Sequence, residues 1–168
     1  QRHAQYKSDA DSKAMHARMP LIAVWDDHEI ANDAYKNGAE NHDDATEGSW
    51  AARKATALLA YHEWMPIRTG ADPARIFRSF NFGQLLSLHM LDTRLFGRDL
   101  QVDIAQLAGL AGAGPQATAM ASFSSPTRQM LGSEQLSWLT AQMAASTATW
   151  QVLGQQVLMA RIEFPVSI

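Results

Sequence analysis

Leu21-Ile22-Ala23-Val24-Trp25-Asp26-Asp27-His28-Glu29 is the stretch on which the fold turns. Its four leading apolar residues predict a buried strand. The strand runs straight into two carboxylates, an imidazole and a third carboxylate. A doubly wound sheet gathers its ligands just beyond the carboxyl ends of its strands. Acids crowded this closely repel one another unless a cation or solvent offsets them. The stretch therefore points to an α/β fold with a metal-assisted site at a strand end.

Outward from this stretch, residues 1–19 read as helical, and Pro20 ends that helix. Ile30 to Glu47 is rich in Asn, Asp and Gly, with Asn37-Gly38 as a turn signal, and predicts a long loop at the mouth of the site. Asp44 and Glu47 have capping-box spacing. A helix is expected from Ser49 to Met65, with Trp50, Ala57, Leu58, Tyr61 and Met65 on one face. Ile76–Phe82 and Leu85–Leu91 read as a hairpin around Asn81–Gln84. Leu107–Thr127 is low in charge and rich in Ala, Gly, Ser and Thr; it reads as an extended surface insertion, with a short helix as the alternative. Ser133 is the expected N-cap of a helix running to about Ser146, with Leu136, Leu139 and Met143 as its stripe. Trp150–Leu153 is a last short strand. Apolar runs thus end in polar clusters at Asp26-Asp27-His28, at Asp92-Thr93-Arg94 and at Gly154-Gln155-Gln156. If the strands are parallel neighbours, these clusters meet at one sheet edge.

The composition narrows the classes. The chain has 168 residues, enough for one domain or part of a larger one, and 46% of them are hydrophobic. A net charge of -3 and the lack of a basic run argue against a nucleic-acid partner. No apolar stretch approaches the roughly 20 residues of a membrane span. There is no cysteine, so disulfides and thiolate ligands are excluded. The chain opens on Gln1 rather than Met, and the expectation is that something has been cut away.

The residues around the acidic cluster carry a resemblance. WDDHEIAN (Trp25 to Asn32) is similar to the signature of the PhoD-like phosphatases, or alkaline phosphatase D family, of the metallophosphoesterase superfamily. The likeness continues through Gly38-Ala39-Glu40, Glu47-Gly48-Ser49-Trp50 and Ala60 to Arg68 (AYHEWMPIR). It resumes in Ile76 to Gln84 (IFRSFNFGQ), Met90-Leu91-Asp92-Thr93-Arg94 and Arg98-Asp99-Leu100-Gln101. Its last blocks are Met130-Leu131-Gly132, Gln135 to Leu139 (QLSWL) and Trp150 to Gln156 (WQVLGQQ).

This resemblance implies part of an α/β metallophosphatase fold, a sandwich of two mixed sheets flanked by helices. It implies a central fragment, residues 1–168, whose flanking metal motifs are missing at both ends; no Gly-Asp pair occurs in the chain. It also implies hydrolysis of phosphate monoesters or diesters, with iron and calcium as cofactors and a phosphoester as substrate. Export to the periplasm, the cell surface or the medium is implied by resemblance alone.

Asp26-Asp27-His28-Glu29 looks like the counterpart of the superfamily's Gly-Asn-His-Glu/Asp motif, which makes Asp27 the first candidate metal ligand. A hard cation favours its carboxylate oxygen; the plainer reading is an N-capping or loop carboxylate. His28 would face the substrate phosphate, stabilise developing charge or protonate the leaving oxygen. Asp26 and Glu29 each orient His28 or the backbone, or serve as a direct ligand. Asn32 is a candidate for a metal or phosphate contact, and Asp33 has no assigned role. Arg94 suits a phosphate oxygen, or else a salt bridge to Asp92 or a loop acid. Gln155 and Gln156 line a pocket or serve as buried amides. His42, with Asp43 and Asp44, reads as a solvated acidic loop before a metal site. His16, His62 and His89 read as structural.

Two other classes compete with an enzyme. A non-catalytic fragment would bind a cation weakly at most. A nucleotide-binding α/β domain would need a Gly-rich strand-to-helix loop, and none is present.

Overall fold

The computed structural model describes residues 2–110 and 112–158. Two short helices open it, α1 (Arg2–Ser8) and α2 (Ala10–Arg18). They are separate because Asp9 caps the second, its side chain accepting from Ser12 N. Met19 stops α2 in an extended conformation, which the following Pro20 requires.

Leu21–Val24 then belongs to no helix and does not enter the sheet, which corrects the expected strand. Its polar backbone is met by distant side chains: Arg78 Nη2 donates to Ala23 O at 2.7 Å. The expected loop follows and contains one helical turn, α3 (Asp44–Glu47). Asp43, not Asp44, caps that turn, accepting from Ala45 N. The Asn37-Gly38 turn forms as the sequence predicts, with Tyr35 N donating to Gly38 O at 2.8 Å.

The helix α4 (Trp50–Trp64) starts at a Ser49 cap. Its predicted face lies inward, with Trp50 and Tyr61 buried and Leu58 and Met65 packed beside them. This face closes on Trp25, Ala34, Ile76 and Leu95 to make the main core.

The hairpin is β1 (Arg78–Phe82) and β2 (Leu86–Met90), paired antiparallel. β2 also pairs in parallel with β3 (Trp150–Gly154), in the order β1-β2-β3. Leu91 N continues that ladder to Gly154 O at 2.8 Å. A parallel neighbour needs a long crossover, and this one carries α5 (Ile104–Leu107), α6 (Ala113–Phe123) and α7 (Ser133–Ala145). The Leu107–Thr127 segment is therefore largely helical rather than extended. With this three-stranded mixed sheet and its helices, the chain is of the α/β class.

α7 is capped by Gly132, one residue before the expected Ser133. Its buried side also differs from the apolar stripe: Gln135 and Leu139 face inward, whereas Leu136 and Met143 are exposed. Trp138 packs on Phe77 at 4.9 Å between ring centroids, and Phe96 meets Phe77 at 4.8 Å. Gly97 and Gly132 bring the loop after β2 against the start of α7; a Cβ on Gly97 would lie 2.3 Å from Gly132 N.

Candidate functional site

The polar clusters that follow the three apolar runs do meet, two of them beyond sheet strands. Asp92, directly beyond β2, is fully buried. Its Oδ1 accepts from Arg94 N at 2.8 Å and Leu95 N at 2.7 Å, and its Oδ2 accepts from Trp25 Nε1 at 2.9 Å. Gln135 clasps the Asp92 backbone from α7, accepting from its N–H and donating to its carbonyl, each at 2.8 Å. Burial raises the Asp92 carboxyl above its ordinary value, against the lowering effect of these donors.

Gln156, just past β3, joins the three segments. Its Nε2 donates to Trp25 O at 2.8 Å and Leu91 O at 2.9 Å. Its Oε1 accepts from Thr93 N at 3.0 Å and Thr93 Oγ1 at 2.5 Å. Gln156 therefore acts as a structural amide, one of the two roles its position allowed.

This frame holds Arg94 under the acidic cluster. Arg94 Nε donates to Asp26 Oδ1 at 2.7 Å, Nη1 donates to Asp33 Oδ1 at 3.2 Å, and Nη2 lies 3.5 Å from Asp27 Oδ1. Of the two roles foreseen for Arg94, the structure displays the salt bridge, made to three loop acids at once. Its contact with Asp92 is through the backbone only. Burial lowers the Arg94 pKa, but the three carboxylates outweigh it and the net shift is upward.

Asp27 begins a single helical turn, its carbonyl accepting from Ile30 N and Ala31 N. Glu29 Oε2 reaches back to Asp26 N at 2.7 Å, the reciprocal half of a capping box. Glu29 thus orients backbone. Asp27 Oδ2 accepts from Asp33 N at 2.7 Å and closes the turn. Asp33 sits at φ 50, a left-handed conformation that Asp tolerates better than most residues. Burial raises the Asp27 carboxyl, but the Asp33 amide and Arg94 hold it below the ordinary range.

His28 stands out from this scaffold with its side chain 75% exposed, its Nε2 3.8 Å from Asp27 Oδ2. The same nitrogen lies 2.8 Å from Asn32 Oδ1. Asn32 Nδ2 in turn donates to Glu40 Oε2. The Asn32 bond first, and the Asp27 charge second, raise the His28 pKa above its ordinary value.

The second His-acid group lies away from these residues. The His42 side chain is 2% exposed, between Asp44 at 2.8 Å and Glu47 at 3.3 Å. Its ring lies tilted against Trp50, 5.2 Å between centroids. His42 thus packs as a loop fastener rather than in a solvated loop. His62 Nε2 is tied to Pro73 O at 2.9 Å and His89 Nδ1 to Ser79 Oγ at 2.7 Å, both structural as expected.

As a cation site the cluster is incomplete by itself. No group of three or more His, Asp or Glu side chains converges on one point among the described residues. Asp26 and Asp27 direct oxygens to Arg94 and to the Asp33 amide, and both ends of the Asn32 amide are engaged. The site also lies open. The cavities of about 680 and 1070 Å³ are lined elsewhere, by Lys36, Asp99 and Arg128 in one and Met19, Ile67 and Phe80 in the other.

Asp33, Glu40 and Gln135 were not singled out from sequence. Glu40 had a signal, since it lies in one of the resemblance blocks. Gln135 had the same signal, lying in the block Gln135 to Leu139, and Asp33 had only its nearness to Asn32.

Comparison with known proteins agrees with this architecture. The family model described as PhoD-like phosphatase matches residues 1–167. Alkaline phosphatase D of Bacillus subtilis (strain 168) is 39% identical over 170 residues, spanning 99% of this chain and 27% of that protein. A solved structure described as "Structure of PhoD" superposes with a TM-score of 0.73 at 34% identity, over 95% of this chain and 29% of that one. The chain thus spans little more than a quarter of the relatives it matches. With nearly every residue inside the family model and the strand-end frame in place, the chain belongs to the PhoD-like phosphatase family.

Proposed function

We propose that the chain supplies the strand-end face of a phosphoric ester hydrolase that cleaves phosphate monoesters or diesters. The observation that carries this is His28: an exposed imidazole on a turn whose neighbouring side chains are all held, at the edge where the strand-end segments meet. An imidazole can give a proton to a leaving oxygen near neutral pH, which typically contributes about 10²–10⁴-fold. Arg94 acts from beneath, holding Asp26, Asp27 and Asp33 in register. Iron and calcium are the cofactors the family resemblance implies. Since the side chains of the described residues do not complete a cation site, such ions would take further ligands from other parts of the whole protein. Asp26, Asp27 and Asn32 remain the residues nearest to that role. Export to the periplasm or cell surface belongs to the same proposal.

The test is a chimera in which this chain replaces the matching segment of the Bacillus subtilis alkaline phosphatase D. Hydrolysis of bis-p-nitrophenyl phosphate by the chimera, falling at least about 10²-fold in His28→Ala, supports the reading. Equal turnover in the two removes His28 from the chemistry.

A second reading is a non-catalytic piece, favoured by the incomplete ligand set. Turnover of the chimera separates the two, because metal-dependent hydrolysis that is lost in His28→Ala contradicts the non-catalytic piece.

A further inference from the structure

We propose that Glu40 is a positioning residue for His28, acting through Asn32 to fix the imidazole tautomer and leave Nδ1 as the working nitrogen. The inference rests on His28 having the role given above. It follows from which atoms can donate. A carboxylate only accepts hydrogen bonds, so the end of the Asn32 amide that meets Glu40 Oε2 is its Nδ2. Oδ1 then points to His28 Nε2 at 2.8 Å. A carbonyl oxygen also only accepts, so Nε2 must carry the proton. In neutral imidazole the other nitrogen is then the acceptor. A second bond, Glu40 N to Asn32 O at 3.0 Å, holds the two residues at a fixed spacing.

The two ends of an asparagine amide are nearly the same shape. Without the Glu40 charge nothing in this chain of contacts stops Asn32 from turning over. Turned over, Asn32 would donate to Nε2 and drive the proton to Nδ1, so the lone pair would face the protein. With Glu40 in place the cycle closes cleanly. A water oxygen forms the new bond to phosphorus, and the bond to the leaving oxygen breaks with its electron pair. That oxygen takes the Nδ1 proton of the imidazolium, which leaves the Nε2–H tautomer Asn32 accepts from; the attacking water's surplus proton passes to solvent, and Nδ1 regains a proton from solvent before the next turnover.

The experiment is a long-range ¹H–¹⁵N correlation spectrum of the whole chain, at a pH where His28 is neutral. Wild type should show a pyrrole-type Nε2 and a pyridine-type Nδ1. Glu40→Gln should lose this pure pattern, because a glutamine can meet either end of the Asn32 amide. Adding Asn32→Asp to Glu40→Gln should restore it, because a carboxylate at 32 accepts from Nε2–H unaided. An unchanged pattern in Glu40→Gln overturns the proposal, as does a double variant that stays mixed. In the chimera, Glu40→Gln should lower kcat about tenfold with KM retained, the scale of groups that orient a reactive ring from behind. A chimera indifferent to His28→Ala would defeat the phosphoesterase role of His28 while leaving the tautomer result standing. An unchanged tautomer would defeat the relay even in an active chimera.

Discussion

Removing Arg94 should destabilise the chain by about 3–4 kcal/mol at neutral pH, and the figure can be built contact by contact. The Asp27 and Arg94 side chains are only 11% and 10% exposed, with Nη2 and Oδ1 3.5 Å apart. At an effective dielectric near 20 that separation corresponds to about 5 kcal/mol of gross attraction. Breaking one side of a buried pair costs about 3–5 kcal/mol net. The low end applies here, because Asp27 keeps its bond from Asp33 N at 2.7 Å. Asp26 and Asp33 are 50% and 37% exposed, so each adds no more than about 1 kcal/mol. Arg94→Met should therefore lose about 3–4 kcal/mol. Arg94→Lys should lose about 2 kcal/mol, since one ammonium cannot reach three carboxylates from different sides.

The assay is urea unfolding followed by tryptophan fluorescence, with the midpoint compared at equal slope. A pH series adds a second readout. Asp27 is depressed below its ordinary 3.8, so its pairing stabilises the fold above that value. That contribution is lost as the pH falls through the lower folded pKa. The gap between wild type and Arg94→Met should be widest at neutral pH and should narrow below 3.8. A loss under about 1 kcal/mol, or a gap equal at about pH 3 and pH 7, would refute the reasoning.

Four further outcomes follow from the same frame. Gln156→Leu should cost about 2–4 kcal/mol in urea, because it strips partners from Trp25 O, Leu91 O and Thr93 N at once; a near-neutral result would mean water replaces them. Gly97→Ala should cost about 3 kcal/mol or more, because its Cβ would meet backbone at 2.3–2.4 Å. Gly154→Ala should cost less, since there the obstacle is the flexible Met90 Sδ at 2.4 Å; equal losses would count against this steric account. His28 should titrate above 6.5 by NMR, and Asn32→Ala should bring it down, because the Asn32 bond is the larger of the raising effects; an unmoved midpoint would contradict that order.

What was legible in the sequence was whatever local chemistry writes locally. Ser49 marks the start of α4, and five residues of matching period mark its buried face. Two alternating runs around Gly83 give the hairpin. Apolar runs ending in polar clusters gave the expectation that Asp26-Asp27-His28, Asp92-Thr93-Arg94 and Gly154-Gln155-Gln156 meet; the segments do come together through Arg94 and Gln156, although Leu21–Val24 is not a strand of the sheet. The failures share a cause. Leu21–Val24 looks like a sheet strand, yet Arg78 donates to its Ala23 carbonyl. Gln135 looks like a surface residue of α7, yet it is fully buried because both ends of its amide serve the Asp92 backbone. Hydrophobic patterning ranks Leu136 and Met143 above it, since periodicity has no register of hydrogen-bond partners across more than forty residues. The family resemblance supplied the assignment that patterning could not, because its blocks carry long-range partners along with local ones.

The acidic cluster raised the question of which cation offsets it. The first answer the fold supplies is an internal one, since Arg94 brings a fixed positive charge within reach of Asp26, Asp27 and Asp33. One guanidinium does not balance three carboxylates, so the cluster keeps a net negative charge while its geometry is already set. Under the function proposed above, that combination suits a surface that must hold its shape and still attract cations supplied with ligands from elsewhere. A cluster balanced fully by side chains would not attract them, and one left without Arg94 would spread apart before they arrived. The same division separates two roles: buried Arg94 holds shape from below, and exposed His28 is left to act. Arg94→Met should therefore damage stability and turnover together, whereas His28→Ala should damage turnover in the chimera alone. Should both variants lose stability to the same extent, that division of labour would have to be abandoned.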